Sequence, residues 1–160
     1  MRWYDLDLTF NPAGSQISGT VRTQASVVTG PLTTMDLDLD LEPGRERGDL
    51  GRHPDVVLAR GRPAHREPLT ASILNGELLD VRVTYTGSPV AGSFGFQIVN
   101  GRQLIWSLSE PYGARTWWPC KDIPEDKADS VTIRYTVPTG LTTASNGTLR
   151  LVDRQRPRRP

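Results

Sequence analysis

The sequence has few of the cysteine and histidine residues from which zinc sites and many nucleophilic sites are built. Its 160 residues include one cysteine, which excludes an internal disulfide and leaves the redox compartment undetermined. Neither of the two histidines, His53 and His65, has a cysteine or a second histidine at ligand spacing. We therefore expect no zinc site formed by this chain alone. P-loop and G-x-G-x-x-G sequences are also absent.

Long apolar runs and a strong charge of one sign are missing as well. No run approaches the roughly 18 residues of a membrane-spanning helix, so no membrane span is predicted. The net charge of +1 gives no global reason to expect a nucleic acid as partner. Met1 is followed at once by strand-like sequence rather than by a signal peptide. A cytoplasmic and an exported protein are both consistent with this sequence, and export would require a leader outside this chain.

What the sequence does contain is alternation of apolar and polar residues. This period of two is typical of strands with one buried and one wet face, whereas no segment shows a sustained helical period. The segment Asn11-Pro12-Ala13-Gly14 separates two such runs and predicts a hairpin over residues 3–24. The fold class predicted is all-β, an antiparallel sandwich or curved double sheet. The alternating segments are 4–10, 17–22, 36–41, 80–85 and 130–137.

Two arginine-rich segments break this pattern, the stretch 43–68 and the tail 150–160. Neither has a period, and an irregular loop as long as 43–68 is unusual inside a compact domain. One interpretation is a basic loop and tail that bind an acidic partner, and another is a disordered, solvated insertion. A third is out-of-frame translation of a GC-rich gene, which we favour slightly for the tail and leave open for the loop.

The most specific stretch is S-E-P-Y-G-A-R-T-W-W-P-C-K-D-I-P-E-D-K-A, residues 109–128, followed by V-P-T-G and A-S-N-G. Together with Y-D-L-D-L-T-F, S-G-T-V-R and L-D-L-D-L near the amino terminus, it resembles the N-terminal domain of the aminopeptidase N-type zinc metallopeptidases, the gluzincin aminopeptidases. The resemblance covers 1–41 and 77–149 and fails in the arginine-rich loop. It implies an incomplete, saddle-like β domain over 1–149, with 150–160 as a basic disordered tail.

The resemblance also implies what this chain does not carry. In that family a separate thermolysin-like domain supplies the H-E-x-x-H zinc helix, a further glutamate ligand and the G-x-M-E-N loop, and none of these motifs occurs here. The missing catalytic domain is the implied partner, and zinc is expected there. The resemblance therefore implies a fragment that by itself should not hydrolyse peptides, because no metal, activated water or general base is in place.

One residue of the N-terminal domain reaches the active site in this family, and the matching position here is Glu110. The resemblance assigns it to the free amino group of the substrate peptide. A carboxylate suits that role because an α-amino group, with a pKa near 7.7–8.0, is mostly cationic at neutral pH. Charge-assisted hydrogen bonds would then hold the first residue of the peptide and favour removal of one residue at a time. Without the resemblance, an ordinary solvated glutamate is the more frequent case.

The rest of the motif is expected to be scaffold. Arg115 and Asp122 are the expected anchoring pair, matched for bidentate bonding. Trp117 and Trp118 are neighbours in the chain, so in an extended segment one would pack between sheets and the other would cover a seam. Prolines limit the backbone, and the cysteine, with no base nearby in sequence, is expected to be a buried thiol rather than a nucleophile. The remaining motif residues are Pro119, Cys120, Pro124 and Lys127.

Two further hypotheses stay open at this point. The chain could be a non-enzymatic β-sandwich module that binds sugar or peptide, with an exposed Trp117 or Trp118 as the platform. It could also be a truncated product without function, prone to aggregate through its sheet edges. The leading hypothesis is the substrate-anchoring N-terminal domain of a zinc aminopeptidase.

Overall fold

The alternating segments form the strands of a nearly all-β domain. A computed structural model describes residues 1–41, 56–57 and 65–153, with side chains excluded at 56–57 and 65–71. In these ranges there is no α-helix, and three single-turn 3₁₀ helices occupy Pro12–Gly14, Ala114–Thr116 and Pro124–Asp126. The strands are β1 Trp3–Asn11, β2 Gln16–Ser26, β3 Leu32–Leu37, β4 Val56–Val57, β5 His65–Ile73, β6 Leu78–Gly87, β7 Phe94–Val99, β8 Arg102–Ser107 and β9 Ser130–Thr136.

The predicted hairpin is confirmed. β1 and β2 pair antiparallel from Trp3 opposite Gln24 to Asn11 opposite Gln16. The turn between them is the 3₁₀ helix Pro12–Gly14, which the Asn11 side chain caps by accepting a hydrogen bond from the Gly14 amide at 3.3 Å. Asparagine before proline therefore ends β1 through a side-chain cap.

The strands form one five-stranded sheet and two two-stranded sheets. The large sheet has the order β4-β6-β2-β1-β9, and β3–β5 and β7–β8 form two-stranded antiparallel sheets. Within the large sheet, β9 runs parallel to β1 and β4 runs parallel to β6. The all-β class is confirmed, and the large sheet adds parallel pairs at both edges to its antiparallel centre.

The core lies on the inward face of the large sheet. Its strands β1, β2 and β6 bury alternate residues, as their period predicts. One cluster also takes in residues from outside that sheet, Leu39, Leu41, Phe94, Trp117 and Cys120. A smaller cluster gathers Val27, Leu37, Leu79, Val81 and Val83 under β3. The 109–128 motif is thus part of the main core.

Much of the predicted arginine-rich loop and tail lies outside the described residues. Within 43–68, the structure describes β4 at 56–57 and the first four residues of β5 at 65–68. Residues 42–55, 58–64 and 154–160 fall outside it. The predicted division into a domain over 1–149 and a tail from 150 stays a prediction.

Candidate substrate-anchoring loop

Glu110 lies at the tip of a turn that backbone hydrogen bonds fix at both ends. The Leu108 amide donates to the Ser93 carbonyl at 2.8 Å, which ties the end of β8 to the residue before β7. The Gly113 amide donates to the Ser109 carbonyl at 2.8 Å and closes the turn around Glu110 and Pro111. The Glu110 side chain is exposed. A fixed backbone therefore presents this carboxylate to solvent.

Gly113 is required where this turn closes. A Cβ at this position would lie 2.0 Å from the Ser93 hydroxyl oxygen and 2.5 Å from its Cβ. Both distances are far below a van der Waals contact, and Ser93 Cβ belongs to the start of a short side chain that cannot move away. The close approach of the turn to Ser93 therefore depends on the missing side chain.

Trp117 connects the turn to the core. It is 5% exposed, and its indole N–H donates to the Ser109 hydroxyl oxygen at 3.0 Å. Its ring lies 5.3 Å from that of Phe94, centroid to centroid. The residue before Glu110 is therefore held by a buried indole, which couples the position of the carboxylate to core packing.

The position of Trp118 contradicts the prediction that one tryptophan would pack between the sheets and the other would cover a seam. It packs against the same core cluster as Trp117, with its ring edge-on to Tyr4 at 4.9 Å and 6.1 Å from the Trp117 ring. The chain is not extended here, because the 3₁₀ helix Ala114–Thr116 ends at Trp117 with ψ of −13°. Successive side chains then no longer alternate between opposite faces, and both indoles enter one core.

Two tyrosine hydroxyls from the sheet hold the backbone of this loop. The Tyr85 hydroxyl donates to the Trp117 carbonyl at 2.7 Å, and the Lys121 amide donates to the Tyr4 hydroxyl at 3.0 Å. Tyr85 is buried on β6 and Tyr4 is buried on β1. Burial raises the pKa of both phenols, so both stay neutral and able to serve these bonds. The large sheet thus holds the loop at two points of its backbone, Trp117 and Lys121.

The segment after β3 pairs with the loop from the other side. Asp38 and Cys120 exchange two backbone hydrogen bonds, of 2.7 and 3.1 Å, and the Asp40 amide donates to the Arg115 carbonyl at 2.7 Å. The acidic residues of L-D-L-D-L are therefore more than the polar face of a strand. Their backbone clamps the loop while the leucines between them enter the core.

Arg115 shares its guanidinium between two carboxylates. Its Nε lies 3.4 Å from Asp40 Oδ2 and 3.9 Å from Asp122 Oδ2, so the expected partner is present without the bidentate geometry. Burial raises the pKa of Asp122, while hydrogen bonds from the backbone amides of Arg115 and Ala114, with the charge of Arg115, oppose that rise. Asp122 is thus a buried carboxylate whose charge Arg115 partly offsets.

The other motif residues divide between core and surface. Pro119 is fully buried, and Cys120 is a buried free thiol whose pKa burial raises. Pro124 begins the 3₁₀ helix Pro124–Asp126, and Lys127 follows it with an exposed side chain. It is Lys121, rather than Lys127, that forms an ion pair with Asp126.

The described residues form no metal site. Across 1–41 and 72–153, where the structure describes side chains, no three His, Cys, Asp or Glu side chains come together in an arrangement that could hold a metal ion. His53 lies outside the described residues, as does the side chain of His65. No helix in the same ranges has the length and apolar character needed to cross a bilayer.

Comparison with known proteins identifies the architecture. The M1 zinc metallopeptidase of Deinococcus radiodurans matches 92% of this chain at 29% identity, with a TM-score of 0.62. The structure of a point mutant of that enzyme matches equally well. This chain is similar to the N-terminal part of an M1 zinc metallopeptidase. No protein-family model and no curated protein matches it.

The similarity to M1 metallopeptidases confirms the family resemblance carried by the 109–128 motif and the all-β fold. The chain spans 36% of the length of each of these two solved structures. The roles of individual motif residues, Glu110 among them, remain predictions. What sequence reasoning missed are the residues that hold the loop, Tyr4, Tyr85, Asp38 and Asp40, because each acts on a segment far away in the chain.

Proposed function

We propose that this chain is the N-terminal, substrate-anchoring domain of a zinc-dependent aminopeptidase, and that Glu110 binds the α-amino group of the peptide substrate. The observation that carries the proposal is an exposed carboxylate on a turn fixed at both ends, within a motif whose fold matches an M1 zinc metallopeptidase. Metallopeptidase activity belongs to that relative, and the proposal extends it to the protein of which this chain would form the N-terminal domain.

The local chemistry supports a cation-binding role for Glu110. Three features reduce the freedom of the turn, namely the Ser93 and Ser109 backbone bonds and the Trp117 indole on Ser109. Because the backbone of the turn is already fixed, binding an ammonium group orders only the Glu110 side chain, so more of the charge-assisted bond appears as affinity. An amino group bound at Glu110 would fix the distance between the turn and the rest of the bound peptide.

Zinc and the general base would come from the catalytic domain rather than from this chain. The described residues do not fit a zinc site, so no step of hydrolysis is assigned to them. When bound in the catalytic domain, zinc supplies an activated water and polarises the scissile carbonyl. The share of this chain is to bind and position the peptide amino terminus, and we expect the chain alone to be inactive.

The alternative of an aromatic binding platform loses its structural basis. Trp117 is buried, and Trp118 is half-buried with its ring against Tyr4 and Trp117. A platform for sugar or peptide needs an accessible ring face. The tryptophans of the motif instead serve the core.

The proposal is tested by co-expressing this chain with the zinc-binding part of the Deinococcus radiodurans enzyme, and then measuring hydrolysis of an aminoacyl p-nitroanilide. Glu110→Ala should lower kcat/KM by about ten- to a hundredfold, because it removes one charge-assisted hydrogen bond to the substrate. Glu125→Ala, at another exposed glutamate before Lys127, is the matched control and should leave kcat/KM unchanged. Equal rates for the two variants would refute the role of Glu110.

A further inference from the structure

Three asparagine–glycine pairs lie at exposed positions of this chain. They are Asn75-Gly76, Asn100-Gly101 and Asn146-Gly147. Asparagine is a thermolabile residue, and a following glycine makes it more so, because glycine has no Cβ to hinder attack by its own backbone nitrogen. The dipeptide is the same in all three pairs, so only the backbone around each pair can make them react differently.

The reaction in question is deamidation, a ring closure within the dipeptide. The glycine nitrogen loses its proton to base and attacks the side-chain carbonyl carbon of asparagine. A C–N bond forms there, and the side-chain nitrogen leaves as ammonia. Water then opens the succinimide ring at either carbonyl, so that asparagine and water become aspartate or isoaspartate and ammonia. The attack requires a glycine N–H without a hydrogen-bond acceptor and an asparagine Cα–C bond that can rotate.

The Asn75-Gly76 pair is held by the loop that follows β2. The Gly76 amide donates to the Val27 carbonyl at 2.8 Å, so its nitrogen is engaged. A Cβ at Gly30 would lie 2.7 Å from the Asn75 nitrogen, which shows how closely the loop packs on this turn. Ring closure at Asn75 therefore has to wait until these contacts open, and the rate falls with the fraction of time for which they are open.

The Asn100-Gly101 pair is held by the β7–β8 hairpin. Asn100 has φ of 50° and Gly101 has φ of 75°, the combination typical of a type I′ turn, and Val99 pairs with Arg102 across it. Ring closure requires the Asn100 Cβ and the Gly101 nitrogen to eclipse about the Cα–C bond. In left-handed backbone, with ψ of about +47°, these two atoms lie on opposite sides of that bond. Rotation into the reactive position would break the turn.

The Asn146-Gly147 pair has neither restraint. It follows β9, and the structure describes no strand or helix from 137 to 153. The last backbone hydrogen bond before the pair is from the Leu141 amide to the Pro138 carbonyl, at 3.2 Å. Within the described residues the Gly147 amide donates to no acceptor. Every residue from 142 to 153 is exposed, so water and base reach the pair from solvent.

We propose that Asn146 is a deamidation site of the folded chain, and that the fold protects Asn75 and Asn100. The product carries a carboxylate in place of a neutral amide in the segment after β9, and the net charge of +1 falls by one unit. Where isoaspartate forms, the backbone at this position also becomes one carbon atom longer. Neither the site nor its chemistry depends on the proposed function.

The test compares deamidation of the full chain in native buffer and in guanidinium chloride at the same mildly alkaline pH. Trypsin cleaves after arginine and places the three asparagines in separate peptides, where mass spectrometry detects the mass difference between water and ammonia. In denaturant the three rates should agree within about threefold, because the backbone contacts are lost. In native buffer Asn146 should keep its rate within about threefold, whereas Asn75 and Asn100 should slow at least about tenfold.

A native rate at Asn146 that is slowed as much as the rates at Asn75 and Asn100 would overturn the inference, and so would three equal native rates. Isoelectric focusing of the native chain gives a second readout, the appearance of a species with one more negative charge. Asn146→Gln should suppress that species, because glutamine would have to form a six-membered ring, and Asn75→Gln should leave its rate unchanged. An acidic species that forms as fast in Asn146→Gln as in the wild type would also overturn the site.

Discussion

The Tyr85 hydroxyl provides a sharp test of how the sheet holds the motif loop. Tyr85→Phe removes one oxygen from a buried side chain and leaves the Trp117 carbonyl without the donor now 2.7 Å away. Leaving a buried carbonyl without its donor costs about 1–3 kcal/mol of unfolding free energy. For a chain of this length, each kcal/mol lowers Tm by about 2–4 °C, so we expect a decrease of about 2–12 °C.

The measurement is thermal and urea unfolding, followed by far-UV circular dichroism and tryptophan fluorescence. Tyr112→Phe is the matched control, because Tyr112 is exposed and should lose less than about 0.5 kcal/mol. Tyr4→Phe should also destabilise, since the Tyr4 hydroxyl accepts from the Lys121 amide at 3.0 Å. Because both hydroxyls fix one short loop, the double variant should depart from additivity by about 0.5 kcal/mol or more. A Tyr85→Phe variant as stable as Tyr112→Phe would refute the reasoning.

Two further outcomes test the loop itself. Gly113→Ala should destabilise the domain by about 1–3 kcal/mol, because the new Cβ would lie 2.5 Å from Ser93 Cβ. Adding Ser93→Gly should recover part of that loss. Urea unfolding of the single and double variants measures both effects, and a Gly113→Ala variant as stable as the wild type would contradict the prediction. Cys120, 2% exposed and with its pKa raised by burial, should not react with Ellman's reagent in the native chain and should give one thiol in denaturant. Rapid native reaction would place the thiol at the surface.

The strand pattern of this protein can be read from neighbouring residues. Alternation places Val81, Val83 and Tyr85 inside, and the structure buries all three. The hairpin over 3–24 follows from the turn chemistry of Asn11 and Pro12. The same reasoning fails at β9, where the alternation over 130–137 predicts an inward Val131, yet Val131 is exposed. β9 lies at the edge of the sheet, where one neighbour is missing and a period of two does not guarantee burial.

The sequence by itself determined the fold class, the family resemblance and the position of Glu110 before a proline. Only the tertiary structure decided how that residue is held. Both tryptophans enter one core because a 3₁₀ helix interrupts the extended chain, and Arg115 meets Asp40 as well as Asp122. Period and turn chemistry depend on residues a few positions apart, so they are legible in one sequence. The contacts of Tyr4, Tyr85 and Asp38 with the loop join residues from 32 to 117 positions apart, and such pairings form only when the sheets pack.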